Sequence, residues 1–113
     1  MQLGPLADRI QTYMNLLSAR QKLTASNVAN ADTPNYRTRD IDFQFELMAA
    51  TDTHPEPDVV EVPGLLVKND GNDVSLDREA RLLAENAIRF NLASTLMRSQ
   101  FKMIRNVIQE GKG

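Results

Sequence analysis

The end of the first predicted helix lies within the stretch SNVANADTPNYR, residues 26–37. Pro34 disfavours a helical backbone at Thr33, so the helix is expected to stop before this pair. Pro34 and Asn35 also suit the two central positions of a tight turn, because proline fixes φ and asparagine tolerates a positive φ. The stretch therefore predicts a helix end followed by a turn that fixes the direction of the departing chain.

Three polar side chains of the same stretch have predicted roles at this helix end. Asn27 and Asn30 share a helix face, so their amides could bind the carbonyl groups that a helix end leaves unpaired. Asn30 also suits the left-handed conformation in which many helices end. Tyr36 follows the turn and is expected to anchor the outgoing chain. These roles are structural, and none of them resembles a catalytic arrangement.

Two long helices flank the middle of the chain. Apolar residues recur at alternating spacings of three and four, which predicts one helix over residues 5–30 and a second over residues 76–110. We expect the two helices to pack against each other as a coiled-coil-like hairpin. The predicted packing seam consists of Leu6, Ile10, Leu17, Leu83, Ala87, Phe90, Met97, Phe101, Ile104 and Ile108.

The second helix is too long and too apolar for a single partner helix. Roughly 35 residues at about 1.5 Å each span about 52 Å, whereas a compact domain of this size has a radius of gyration of about 13 Å. A second apolar stripe lies beside the seam and is predicted to contact other subunits; it consists of Ile88, Leu92, Leu96, Met103 and Val107. The alternative cover is a third helix formed by about residues 43–50.

The middle segment, residues 31–75, contains four of the five prolines and is predicted to be irregular with some β structure. Apolar and polar residues alternate from Ile41 to Leu47, as in an exposed strand, although the spacing of Phe43 and Leu47 also suits a short helix. We also expect a small hairpin of residues 59–62 and 65–67. The fold class predicted for residues 1–113 is therefore a mainly α single domain.

Charge is distributed unevenly along the chain, although the net charge is only −2. The net charge is +3 over residues 1–39, −8 over residues 40–73 and +3 over residues 74–113. One interpretation is a solvated loop between two ordinary helices; the other is attraction between the ends of one copy and the middle of another. Nucleic-acid binding is disfavoured, because acids dilute the cations and stacking aromatic residues are few.

Several kinds of chemistry are excluded or disfavoured. The chain has no Cys, and the single His54 cannot form a His–His pair, so we expect no metal, no cofactor and no enzymatic activity. Asp70, Gly71 and Asp73 suggest a calcium loop, but the surrounding residues do not match one, and a tight turn is the better interpretation. Asp40 and Asp42 are expected to be solvated. The sequence predicts no membrane span and no cleaved signal peptide.

The stretch quoted above closely resembles the signature of bacterial flagellar rod, hook and filament-junction proteins, in which an Asn-Ile-Ala-Asn-x-x-Thr-Pro-Gly-Tyr pattern ends the first helix. Residues 37–43, residues 69–79 and the short length are similar to the proximal-rod members, so that the resemblance covers about residues 3–110. The signature positions that match are Asn27, Ala29, Asn30, Thr33, Pro34 and Tyr36, while Val28 replaces Ile and Asn35 replaces Gly.

The resemblance implies a structural subunit of the proximal rod in the flagellar basal body, assembling helically around the export channel through its terminal helices. It implies as partners copies of the same chain, other rod proteins, the adaptor protein of the membrane-embedded ring and the flagellar type III export apparatus. It also implies a periplasmic location reached without a cleaved signal. Phe43 and Leu47 match the family's recognition pattern for early export substrates, a Phe followed four residues later by an apolar residue.

Two other functions stay open on the sequence. The first is another proximal-rod protein of the same family, which would differ mainly in the middle segment. The second is a helical adaptor or chaperone that binds a partner helix. Stoichiometry separates them, because an adaptor forms a small defined complex whereas a rod subunit joins a helical array.

Overall fold

A computed structural model describes residues 4–50 and 56–111. His54 lies outside these described residues. The chain is mainly α-helical, with two long helices on either side of a short middle segment that contains a two-stranded sheet, as the sequence predicts. In chain order the elements are α1 Pro5–Ala29, β1 Arg39–Ile41, α2 Phe43–Ala49, β2 Val59–Glu61 and α3 Leu76–Gly111.

The helices begin where local chemistry favours a start. Pro5 occupies the first turn of α1, where its missing N–H costs nothing. The side chain of Asp42 caps α2 by accepting a hydrogen bond from the Phe45 backbone N–H at 3.3 Å. At the start of α3, Ser75 Oγ accepts a hydrogen bond from the Arg78 N–H at 3.2 Å. Both long helices end within one residue of their predicted bounds.

The middle segment pairs differently from the expected hairpin. β2 pairs antiparallel with β1, in the register Arg39 with Glu61 and Ile41 with Val59. The predicted pairing of residues 59–62 with residues 65–67 is therefore wrong. The short helix forms in place of the exposed strand, because the Asp42 cap lies just before it. A long-range partner strand, which no local pattern announces, decides this arrangement.

α1 and α3 pack as an antiparallel hairpin, and contacts between them are apolar at one end and polar at the other. Ala7 and Ile10 of α1 form the apolar core with Ala93 and Met97 of α3, and Tyr13 and Met14 pack against it half-buried. At the other end, Asn27 of α1 donates a hydrogen bond to Glu79 of α3, and Asn86 donates one to Gln21 at 3.4 Å.

α3 extends beyond the rest of the molecule, as its predicted length implies. Its 36 residues measure about 54 Å at about 1.5 Å per residue. The described chain measures 70 × 28 × 18 Å and has a radius of gyration of 18.2 Å, against about 13 Å for a compact domain of this length. Because Ala7 packs with the region of Met97, residues 101–111 project past the start of α1. We call residues 101–111 the free end of α3.

Among the described residues, no helix combines the length and the hydropathy that crossing a lipid bilayer requires.

Candidate functional site: a buried polar junction and an exposed apolar stripe

The quoted signature stretch forms the centre of a buried polar junction, which joins the end of α1 to β1 and to the start of α3. Asn27 is 1% exposed and uses its whole amide. Its Nδ2 donates to the Arg39 carbonyl oxygen at 2.8 Å and to Glu79 Oε1. Its Oδ1 accepts from the Arg39 N–H at 3.1 Å and from the Tyr36 hydroxyl at 2.9 Å. Asn27 therefore pairs with Arg39 as a neighbouring strand would.

Four charged side chains surround this amide and balance one another. Arg20 donates two hydrogen bonds to Asp40, from Nε at 3.1 Å and from Nη2 at 2.9 Å. Arg78 donates to Asp40 at 2.7 Å and to the fully buried Glu79 at 2.8 Å. Two cations thus meet two carboxylates, which is the condition under which buried charges are tolerated. The expectation that Asp40 is solvated is wrong, because two arginines from different helices converge on it.

In the turn after α1, Asn35 has the predicted backbone conformation and Asn30 does not. The Tyr36 N–H donates to the Thr33 carbonyl at 3.2 Å, and Asn35 has a φ of 64°, as the third position of a type II turn requires. Asn30 ends α1 with a φ of −105°, so its predicted left-handed conformation is wrong. Its amide does bind a helix-end carbonyl, since Nδ2 donates to the Ser26 oxygen at 2.9 Å.

A loop before α3 closes the junction from the other side. Asn72 is fully buried, and its Nδ2 donates to the carbonyl oxygens of Asn30 and Thr33, both at 2.8 Å. Asp73 Oδ1 accepts hydrogen bonds from the N–H and the hydroxyl of the buried Thr38, at 2.6 and 2.8 Å. The loop therefore gives a second hydrogen bond to two carbonyl oxygens that already accept from the Thr33 and Tyr36 N–H groups, and it pairs the Thr38 N–H.

The tight turn predicted within residues 69–73 is present, closes over residues 68–71 and touches the signature stretch. The Gly71 N–H donates to the Lys68 carbonyl at 2.9 Å, and Gly71 has a φ of 83°. A Cβ at Gly71 would lie 2.3 Å from Asn35 Oδ1. Glycine is required here both by the backbone conformation and by the close approach of Asn35.

The structure divides the predicted packing seam. The buried face of α3 consists of Glu79, Asn86, Ala93 and Met97. It is therefore rotated about the helix axis from the predicted apolar seam, and it includes two polar residues that the seam omits. Glu79 and Asn86 face α1 because Asn27 and Gln21 bind them. Of the predicted seam, Ile10, Leu17 and Met97 are buried, Leu83 and Ile104 are half-buried, and Leu6, Ala87, Phe90, Phe101 and Ile108 are exposed.

The second predicted stripe of α3 is exposed along its whole length. We call it the outer stripe, and the exposed fractions of its residues range from 48% to 69%. α2, the alternative cover, packs on α1 instead: the Phe43 ring meets the Tyr13 ring edge-on at 5.4 Å, and the Arg20 guanidinium lies over Phe43. The outer stripe consists of Ile88, Leu92, Leu96, Met103 and Val107.

The two residues that match the export pattern lie on the inner side of α2. Phe43 and Leu47 are both half-buried, the former against Tyr13 and the latter in a shallow groove with Leu92 and Leu96. Within the described residues, no cluster of His, Cys, Asp or Glu has the arrangement of a metal site.

Sequence reasoning missed most of the junction. The roles of Arg20, Asp40, Asn72 and Glu79 are not visible in any local periodicity. A usable signal existed in the polar residues at helix-facing positions, Asn27 with Glu79 and Gln21 with Asn86.

Comparison with known proteins identifies the family. The model of the family described as flagella basal body rod protein matches residues 13–37, which comprise most of α1 and the signature turn. The flagellar basal body rod protein FlgB of Salmonella typhimurium is 36% identical, over 89% of this chain and 91% of the relative.

Relatives from other bacteria agree with this match. FlgB of Escherichia coli is 33% identical over the same shares of the two chains. FlgB of Bacillus subtilis is 28% identical, over 91% of this chain and 95% of the relative. These relatives bear the name of a rod protein and not of an enzyme. The chain therefore belongs to the FlgB family of flagellar basal body rod proteins and has a structural role in that rod.

Proposed function

We propose that this chain is a subunit of the proximal rod, which assembles helically with copies of itself and with other rod proteins around the export channel. In this proposal α1 and α3 form the wall of the tube. The chain reaches the periplasm through the flagellar type III export apparatus without a cleaved signal. It then contacts the adaptor protein of the membrane-embedded ring.

The outer stripe is the observation that carries the proposal. Five large apolar side chains lie on one side of a single rigid helix and stay exposed in the isolated chain. Burying a side chain of this size contributes about 1.5–3 kcal/mol, so an assembled neighbour would gain several kcal/mol from the stripe. Contiguous apolar surface of this kind on a soluble chain marks an interaction site.

α2 strengthens the case for another chain as the cover. The middle segment does form a helix, but it packs on α1 through Phe43 and Tyr13. The described residues contain no further helix that could lie on the outer stripe.

Export recognition belongs to an earlier stage in this proposal. Phe43 and Leu47 are half-buried once α2 has packed on α1. The export apparatus would therefore bind them before the chain folds, and assembly would follow folding.

The free end of α3 offers the direct test. Phe101→Asp together with Ile104→Asp places two charges on its apolar side, far from the polar junction. In a motile host lacking its own copy of the gene, we expect the tagged wild-type chain to co-purify with detergent-extracted hook–basal bodies. We expect the double variant to be absent from them and its host to be non-motile, because charges on a packed helix face oppose its burial.

The matched control is Asn91→Asp with Thr95→Asp, which adds the same charge to exposed polar positions of the same helix that lie off the outer stripe. It should incorporate normally. Normal motility of the Phe101/Ile104 variant would contradict assembly through this helix. Absence of a harmlessly tagged wild-type chain from hook–basal bodies would reject the rod assignment and leave a helical adaptor, recognisable by a small complex of fixed stoichiometry.

A further inference from the structure

The free end of α3 and the turn before it carry an unbalanced positive charge. Between Glu85 and Glu110, α3 has four cations and no acid. Three of them, Arg98, Lys102 and Arg105, recur at spacings of four and three, so they lie on one face of the helix. All three are exposed, and none forms an ion pair with another described residue. We call them the basic ridge.

The helix dipole does not account for this charge. Cations stabilise a helix chiefly when they lie in its last turn, and the last turn of α3 has none. The ridge instead borders apolar side chains, since Phe101, Ile104 and Ile108 share a shallow surface groove with it. Phe101 and Ile108 are about half exposed. This region is therefore an unpartnered helix face that combines apolar and positively charged groups.

The outer side of α2 is the complementary surface of the same chain. Phe45 and Met48 lie on one face of α2 with exposed fractions of 58% and 75%. Asp42 caps the start of this helix, and the register of Ile41 with Val59 sets Asp58 across from it on the neighbouring strand.

With exposed Glu56, these carboxylates form what we call the acidic corner, which consists of Asp42, Glu56 and Asp58.

Three other carboxylates of the middle segment are buried and therefore less available. Asp40 and Asp73 are buried and bind Arg20, Arg78 and Thr38. Glu46 is buried and accepts a hydrogen bond from the Asp58 N–H at 3.0 Å. Within the described part of the middle segment, the exposed carboxylates outside the acidic corner are Asp32 after α1, Glu61 on β2 and Asp70 in the turn before α3. The three negative charges of the acidic corner match in number the three positive charges of the basic ridge.

The ridge and the corner of one chain lie at different levels of the helix hairpin. The corner begins beside Phe43, which packs on Tyr13, whereas the ridge begins beside Met97, which packs with Ala7. α2 lies beside α1, and the groove next to it reaches Leu92 and Leu96 of α3. Along the same unbroken helix, Arg98 lies two residues beyond Leu96, and Arg105 lies nine residues beyond it, about 13 Å away along the axis. Two complementary surfaces at different places on one rigid chain form a heterologous contact, which repeats into a ring or an open helical array.

We propose that the free end of α3, with the basic ridge, docks on the outer side of α2 and the acidic corner of a second copy of this chain. Phe101 and Ile108 pack with Phe45 and Met48, and the opposite charges set direction and register. This inference rests on the proposed function, which supplies the array in which copies meet, and it names the contact that makes the array polar.

Charge reversal and its compensation test the contact. The basic-ridge variant is R98E/K102E/R105E. The acidic-corner variant is D42N/E56K/D58K, in which asparagine keeps the cap of α2, and the compensated variant carries all six changes. The readout is the amount of tagged chain in purified hook–basal bodies. We expect each triple variant to fall about tenfold or more, because like charges then face each other, and the compensated variant to recover most of that loss.

The matched control is K22E/K68E/R81E, which reverses three exposed cations elsewhere and changes the net charge by the same amount as the basic-ridge variant. It should incorporate like the wild-type chain. Far-ultraviolet circular dichroism of each purified variant identifies any that fails to fold. Incorporation of both triple variants at wild-type level, or loss without recovery in a folded compensated variant, overturns the inference while leaving the rod assignment intact. Absence of the wild-type chain itself rejects the proposed function.

A cross-link gives a second readout that does not depend on charge. The chain has no Cys, so D58C/R105C introduces the only two thiols. A disulfide needs Cα atoms within about 7 Å, and a link within one chain would migrate as a monomer, so only a ladder reports a contact between copies. Oxidised hook–basal bodies should give a ladder of linked copies on a non-reducing gel, and each single Cys variant should give none. Absence of a ladder from incorporated D58C/R105C overturns the contact.

A membrane is the other class of partner for a basic amphipathic helix. Co-sedimentation of the purified chain with phosphatidylglycerol vesicles tests it. Binding that R98E/K102E/R105E abolishes, together with failure of the compensated variant to recover incorporation, would assign the ridge to lipid and overturn the docking proposal.

Discussion

The two ends of the helix hairpin are held together in different ways. At the polar junction, side chains of Asn27, Asp40 and Glu79 form a closed network in which every donor and acceptor described has a partner. At the other end, Ala7 and Ile10 meet Ala93 and Met97 in a small apolar core, beyond which α3 continues alone. One end of the molecule is therefore complete in the isolated chain, and the other leaves apolar and charged groups uncovered.

The difference between the two ends indicates that one fixes the geometry of the subunit and the other provides surface for assembly. A hydrogen-bond network fixes geometry, because each bond has a narrow range of distance and angle and an unmade one is costly. Apolar contact is less directional and gains from any well-packed cover. The direction in which the chain leaves α1 is thus set within the subunit. Most of the exposed apolar surface of α3 stays available for contact with neighbouring subunits.

The largest expected effect is at the junction. Asn27→Ala would leave the Arg39 N–H and carbonyl, the Tyr36 hydroxyl and the buried Glu79 carboxylate without this partner. At about 1–3 kcal/mol for each unsatisfied buried group, we expect the free energy of unfolding to fall by about 4 kcal/mol. Urea denaturation followed by circular dichroism measures it.

Asn30→Ala is the control for Asn27→Ala, because it removes the same side chain three residues away. Asn30 binds the Ser26 carbonyl at a half-buried site near solvent. Its loss should cost about 1 kcal/mol. Equal losses for the two variants would show that the junction is not the stable end of the molecule.

A smaller effect is expected at the glycine that touches the signature turn. Gly71→Ala introduces a Cβ at a positive φ and in contact with Asn35. Gly64→Ala is the matched control, since Gly64 also has a positive φ, of 79°, but no atom within 4 Å of the added Cβ. We expect about 2 kcal/mol for Gly71→Ala and about 1 kcal/mol for Gly64→Ala.

The difference between the two glycine variants isolates the close approach of the loop to Asn35. Thermal unfolding of the two variants beside the wild-type chain is sufficient to measure it. Indistinguishable melting temperatures would mean that Asn35 swings away without cost, and that the loop is held by Asn72 and Asp73 alone.

The smallest effect on stability is expected on the outer stripe. Ile88→Ser with Leu92→Ser removes two exposed apolar side chains, with exposed fractions of 69% and 61%. The free energy of unfolding of the isolated chain should change by no more than about 0.5 kcal/mol for each change. Incorporation into hook–basal bodies should nevertheless fall, because the same side chains are the proposed contact with neighbours.

Unfolding free energy and incorporation into hook–basal bodies together show whether the outer stripe acts within the subunit or between subunits. A stable chain that no longer incorporates would assign the outer stripe to assembly. A strong loss of stability in the isolated chain would instead mean that the stripe is covered within the subunit.

Much of the architecture is contained in local sequence. The bounds of α1 and α3 follow from the three-four spacing of apolar residues and from Pro5, and the turn follows from the Pro34-Asn35 pair. The outer stripe was also predictable, since an apolar band wider than one seam has no cover in so short a chain. These features are local, because periodicity and turn chemistry act over a few residues.

The seam and the middle segment could not be predicted in the same way. Glu79 and Asn86 occupy the inner face of α3, although an apolar pattern assigns that face to Leu83, Ala87 and Phe90. A polar residue is acceptable there only when a particular partner is present, and Asn27 and Gln21 lie more than fifty residues away. The pairing of β1 with β2 is likewise a long-range choice.

The sequence by itself determined two long helices, a fixed turn after the first, an uncovered apolar stripe on the second and the resemblance to flagellar rod proteins. Tertiary structure alone decided which residues close the junction, which carboxylates are buried by Arg20 and Arg78, and which stay exposed on the outer side of α2. The physical reason is that helix and turn formation depend on neighbours in the chain. The fate of a polar group depends on whether a distant partner arrives to satisfy it.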